Sequence, residues 1–181
     1  MIRALRRDAI HYRGFGGFLL NLGFWVVATY RFGSWARELR FRPLRFALLA
    51  LAWTIKQPLR LALHVDIPFA ARIGEGFALI HPFNVLIGPG AQIGADCAFY
   101  HEVTVGLGPR PGFPRVGSGI VVFPGARILG GISVGDRSEI GANCVLTHDV
   151  PASSIVVTSP ARILPKQLTR VGDPPSRIEA S

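Results

Sequence analysis

The chain has 181 residues, 49% of them AVILMFWYC and 17% charged, which is too apolar for disorder and long enough for one compact domain plus an accessory segment. Twenty Lys and Arg against eleven Asp and Glu leave a net charge of +9, which points to an anionic partner without choosing among nucleic acid, a membrane surface and a phosphorylated ligand. Two cysteines 47 residues apart, with no CxxC pair, exclude a disulfide scaffold and a zinc site of ordinary spacing. A reducing cytoplasm is therefore the default compartment.

The first thirteen residues, MIRALRRDAIHYR, carry charge throughout and offer no small-residue cleavage site, which argues against a removable signal peptide. Residues 1–65 form a basic, apolar segment holding all three Trp. Within it, Gly14–Tyr30 has no charge over 17 residues and Leu44–Ile55 has a single Arg; both read as helices. A membrane span needs about 20 apolar residues, so the first run is borderline and the second too short. Arg31, Arg37, Arg40, Arg42, Arg45 and Arg60 punctuate them. The expected role is packing on each other and on a partner subunit. Peripheral contact with the inner face of an anionic membrane stays open, since a basic amphipathic helix lies on such a surface.

From Asp66 the grammar changes to a repeat of six. Aliphatic or aromatic residues recur at 67, 73 and 79, at 87, 93, 99 and 105, and at 116, 122, 128, 134, 140 and 146. The phase slips twice, by two residues around His81–Leu86 and by five within Leu107–Arg115. Gly follows the apolar residue at seven of the thirteen positions, and the fourth residue after it is usually small or β-branched, as at Ala71, Ala91, Cys97, Val103, Ile120, Ala126, Ile132, Ser138 and Cys144. Period six is neither helical nor that of an ordinary strand. It predicts a mainly β solenoid with three hexapeptides per coil and a little over four coils, preceded by a short α-helical segment. Both cysteines take the small inward position, as core residues.

The register also juxtaposes two imidazoles. His81 and His101 are each the third residue of their hexads, outside the inward positions, and three hexads plus the two-residue slip separate them. They should stand on one face a coil apart, about 4.8 Å by strand spacing. A His has the pKa to take a proton from a hydroxyl near neutral pH. The plainer reading, a surface His at a subunit contact, stays open for both.

The segment DIPFAARIGEGFALIHPFNVLIGPGAQIG, followed by VTVG, ARILGGISVGDRSEIGANCVL and SPARIL, resembles the serine acetyltransferase family of left-handed β-helix acyltransferases over residues 66–164. The resemblance implies a homotrimer with active sites between neighbouring left-handed parallel β-helices, and acetyl transfer from acetyl-CoA to a hydroxyl without metal or covalent enzyme intermediate. His81 would be the general base. Asp66, 15 residues earlier, would be its orienter, with a turn or cap role as the alternative. The pantetheine arm would follow Leu107, Gly108, Pro124, Gly125 and Ala142, with Arg162 and either Lys166 or Arg170 near the phosphates. No nucleic-acid partner is expected, and residues 165–181 form a tail without expected structure.

Two departures bear on the acceptor. The family's Asp before the catalytic His is Ile80 here, and a second active-site His is replaced by Phe113 in a shorter loop. Both weaken recognition of free serine, while His101, Arg110 and Arg115 offer other polar groups for substrate. L-serine, a sugar hydroxyl in polysaccharide biosynthesis at the membrane surface, and a non-catalytic trimeric scaffold all remain in play.

Overall fold

The computed structural model describes residues 1–12 and 20–159. Three helices come first: α1 (Ile2–Ile10), α2 (Leu22–Arg37) and α3 (Arg42–Leu63). The helix α1 falls in the charged opening stretch, which showed no apolar run. The helix α3 extends well beyond the apolar stretch read from sequence, and at 22 residues it is long and apolar enough to cross a membrane by length and composition. Apolar counting cut it short at Lys56 and Arg60, whose charges are absorbed by the fold as described below.

Thirteen strands of two or three residues follow, in three parallel sheets. The first sheet is β1 (Arg72–Ile73), β4 (Gln92–Ile93), β7 (Arg115–Val116) and β10 (Ser133–Val134). The second is β2 (Ala78–Leu79), β5 (Ala98–Phe99), β8 (Val121–Val122), β11 (Glu139–Ile140) and β13 (Ile155–Val156). The third is β3 (Leu86–Ile87), β6 (Thr104–Gly106), β9 (Arg127–Leu129) and β12 (Val145–Leu146). The chain visits the sheets in turn, so the solenoid is a three-sided prism. All thirteen of the apolar residues of the six-residue repeat are buried, and so are the small residues four places on. The same second position also takes the larger Phe77, Ile120 and Ile132, all buried.

Register confirms where the repeat breaks. Ala78 pairs with Ala98 twenty residues on, whereas Leu86 pairs with Thr104 eighteen on, so the two extra residues lie between β2 and β3. Thr104 pairs with Arg127 and Gln92 with Arg115, each 23 on, which confines the other five to the β6–β7 connection. The last coil contracts: Glu139 pairs with Ile155 only 16 residues on, a slip not visible in the hexad pattern.

The helices share the solenoid's core, with Val26, Val27, Tyr30 and Leu63 in one hydrophobic cluster with the prism residues. A polar clamp fixes them. The fully buried Asp8 carboxylate accepts from Arg31 Nε at 2.9 Å and from the backbone N–H groups of Gly76 at 2.8 Å and Phe77 at 2.9 Å. Arg31 also donates to the carbonyl of Ile73 at 2.6 Å. One pair thus ties α1, α2 and the first coil together. Removing one partner of a buried pair leaves an uncompensated charge, so Asp8→Ala should lower stability by about 3–5 kcal/mol. In urea titrations the midpoint should fall, and Asp8→Ala/Arg31→Leu should lose less than the single variant.

The cysteines behave as core residues. Burial pushes the Cys97 thiol up to about 11 and raises Cys144 as well. Both should resist a disulfide reagent at pH 8 in the native protein and react together in urea. Because Cys97 is raised above its ordinary 9.0 only when folded, its contribution to stability is intact below pH 9 and is lost as pH rises through about 11. Chemical denaturation at pH 8 and pH 11 measures that loss.

Candidate active site

The site is built at the corner where the second sheet turns into the third. His81 follows β2 and His101 follows β5, and because Leu79 pairs in register with Phe99 the two imidazoles lie next to each other on successive coils. Their ring centroids are 5.9 Å apart with planes 59° to each other, on one face a coil apart as the hexad register predicts but wider than the strand spacing of about 4.8 Å. His81 is exposed and His101 half-buried. A hydrogen bond from Phe83 N–H to the His81 carbonyl, 2.8 Å, closes the two-residue insertion into a turn that holds His81 out from the prism. Insertion and imidazole therefore belong together.

Above this pair the corner continues as a column. Gly125 N–H donates to the His101 carbonyl at 3.1 Å, and Asn143 N–H to the Pro124 carbonyl at 2.9 Å, so Pro124, Gly125 and Ala142 stand over the histidines on successive coils. From His81 to Ala142 is three coils, about 14 Å of rise by strand spacing. Gly125 has φ +74°, a left-handed conformation that strains a residue with a side chain, and a Cβ there would also meet the Asn143 side-chain oxygen. The column is a strip of small residues and backbone, fit for an extended chain to lie along.

Sequence reasoning missed the aromatic flank of this corner. Tyr100 and Phe123 are stacked at 5.5 Å with planes 11° apart, and the Tyr100 ring lies 5.9 Å from His81. The signal was present: each takes the place after the inward residue where seven of thirteen hexads have Gly. Ile80, at the same place a coil below Tyr100, packs against the cluster of Tyr12, Phe24 and Ala78. Phe113 lies over Gly88 and Gly90, where an added Cβ would meet its ring. Neither position offers a polar group.

Asp66 starts the third face one coil below Leu86, to which it is bridged. Its carboxylate takes Lys56 Nζ at 2.6 Å and Arg60 Nε at 3.5 Å. It makes no hydrogen bond to His81, whose imidazole has none from any described residue. With Arg60, Leu61, His64, Asn84 and Leu86 it lines a cavity of about 450 Å³.

The remaining sequence-predicted residues stand elsewhere. Leu107 and Gly108 follow β6 at the far edge of the third sheet, and both Leu107 and Arg110 are exposed. Arg110 pairs with Asp149 at 2.9 Å. The Ser133 backbone N–H and this guanidinium hold the Asp149 carboxyl below its ordinary value. Arg115 projects from β7 into a groove of about 720 Å³ between the helices and the first sheet. Within one chain none of these four reaches His81. Arg162, Lys166 and Arg170, with the 165–181 tail, lie outside the described residues.

No protein-family model matches the chain. Its sequence is 35% identical to the serine acetyltransferase of Helicobacter pylori over 167 residues, 91% of this chain and 94% of that one. Among solved structures, serine acetyltransferase of Brucella abortus in complex with coenzyme A superposes with a TM-score of 0.74 at 28% identity, covering 90% of this chain and 67% of that one. The Neisseria gonorrhoeae enzyme in complex with serine gives 0.72 at 27% identity, covering 90% and 68%. Shared sequence over nine-tenths of both chains, laid on the same hexapeptide prism, means that this chain belongs to the serine acetyltransferase family of left-handed β-helix acyltransferases.

Proposed function

We propose that the protein transfers the acetyl group of acetyl-CoA directly to an acceptor hydroxyl, with His81 as general base. The observation that carries this reading is the exposed His81 imidazole at the foot of the small-residue column formed by Pro124, Gly125 and Ala142. The thioester end of an extended pantetheine arm lying along that column would come to the imidazole. His81 takes the acceptor's hydroxyl proton while the oxygen attacks the thioester carbonyl carbon, forming the C–O bond. Collapse of the tetrahedral adduct breaks the C–S bond, and the imidazolium returns its proton to the departing sulfur. Atoms and charge balance without a covalent enzyme intermediate.

Asp66 is proposed to orient the imidazole and stabilise its protonated form, as a triad carboxylate does. In the single chain Lys56 and Arg60 hold it, so this role requires the carboxylate to exchange a cation of α3 for the imidazolium. A homotrimer explains why the rest of the candidate set stands apart: Leu107, Gly108, Arg110 and Arg115 on one subunit would face the histidine corner of the next.

The relatives support L-serine as acceptor. A sugar hydroxyl is the second reading, and Ile80, Phe113 and the Tyr100–Phe123 stack favour it. Ile80 and Phe113 stand where the family has an Asp and a His, and with the Tyr100–Phe123 stack they offer apolar and aromatic surface on which the C–H faces of a saccharide ring can rest.

His81→Ala should lower acetyl-dependent release of CoA thiol by about 10²-fold or more while leaving the circular dichroism spectrum and assembly state unchanged. Unchanged turnover overturns its role. In the same thiol assay, serine turnover with kcat/KM of about 10⁴ M⁻¹s⁻¹ or more overturns the saccharide reading. Silence with serine and turnover of a sugar overturns the other, and silence with every acceptor leaves the trimeric scaffold.

A further inference from the structure

We propose that the outward face of α3 docks on an anionic phospholipid surface, with the helix lying in the plane of that surface. Of its 22 residues only Ala52 and Leu63 are buried. At about 100° per residue these two mark the inner face, and the opposite arc carries the exposed Phe46, Ala50, Leu51, Trp53 and Leu61 together with the uncharged polar Thr54 and the partly buried Gln57. Trp53 is 59% exposed and Leu61 75%. No charged residue falls on that arc. Exposed apolar surface this continuous is uncommon on a soluble monomer and marks an interaction surface.

Charge identifies the occupant. Between Leu39 and Val65 there are five Lys or Arg and no Asp or Glu. Arg42 and Arg60, both exposed, stand on the helix rim beside Phe46 and Trp53, so apolar side chains would enter the acyl boundary while guanidinium groups stay at headgroup level. Trp favours the same boundary. A second copy of this chain laid on the face would set a cation-rich rim against its like. An anionic bilayer sets opposite charges together.

The packing decides between lying on the membrane and crossing it. Lys56 is bound to Asp66 at 2.6 Å and its ammonium lies over the Phe69 ring at 5.2 Å, while Ala52 and Leu63 are sealed against the rest of the fold. A spanning α3 would have to break these contacts and carry Arg45, Lys56 and Arg60 into hydrocarbon. A docked α3 keeps them all, since only its outward arc changes surroundings.

The test uses the full chain with phosphatidylcholine vesicles and with vesicles containing 30% phosphatidylglycerol, read by sedimentation and Trp fluorescence. Expected is recovery with the anionic vesicles, a blue shift lost in Trp53→Phe, and at least about tenfold weaker partitioning for Phe46→Ser/Trp53→Ser. Arg42→Gln/Arg60→Gln should weaken it on anionic vesicles and flatten its salt dependence. Phe46 and Trp53 lie outside the catalytic machinery, so thiol release in vesicle-free buffer should not change in the Ser variant. The proposal is overturned if the protein stays in the supernatant, or if neutral vesicles recover it equally. It is also overturned if light scattering shows a larger assembly that Phe46→Ser/Trp53→Ser disperses, because the face is then covered by another copy.

Discussion

The interior of the prism is the constraint on which everything else rests. Three parallel sheets converge so closely that each hexapeptide has two inward positions, the second mostly small, and the thirteen large first positions are all buried. A one-residue slip within a strand would turn an inward side chain outward on that coil and on every coil stacked above it. Extra residues can therefore enter only at corners. The two insertions sit there, and the histidine corner is the site of one of them. The His81–His101 pair occupies a place where the repeat can be interrupted without disturbing the core.

The helical segment answers a different problem. A solenoid's first coil has no coil beneath it, and its backbone groups need partners that the repeat cannot supply. Asp8, Arg31 and Tyr12 supply them from the helices. Gly76 and Phe77 N–H donate to Asp8, Ile73 C=O accepts from Arg31, and Leu79 N–H donates to the Tyr12 hydroxyl at 2.8 Å. Burying a carboxylate and a guanidinium is costly in isolation, but here each completes a hydrogen-bond set, which is the condition under which a buried pair is tolerated. The helices act as the cap of the solenoid as well as an accessory surface.

Most of the prism was legible because its rule is local and repeated. The six-residue period located the inward residues, both slips and the placing of His81 and His101 on one face a coil apart. What escaped was set by contacts between distant segments. Asp8 reads as one acid among surface charges, and nothing in MIRALRRDAIHYR says that it meets Arg31 and two backbone amides from the solenoid. The reach of α3 was hidden because Lys56 and Arg60 look like the end of an apolar run, yet both turn toward Asp66. Tyr100 and Phe123 could have been found as bulky residues in a place usually given to Gly. The contraction in the last coil leaves no trace in the hexad spacing, since it falls where the regular apolar series has already ended.

Asp66 joins the two halves of the molecule. It opens the third face of the prism, bridged to Leu86, and in the same position receives Lys56 and Arg60 from α3. A half-exposed carboxylate shared between a helix and a candidate base cannot serve both at full strength, because two cations already neutralise it before an imidazolium arrives. Lys56 touches the carboxylate directly and lies a single helical turn from the outward-facing Trp53, so one side chain joins the helix's two faces to the edge of the prism.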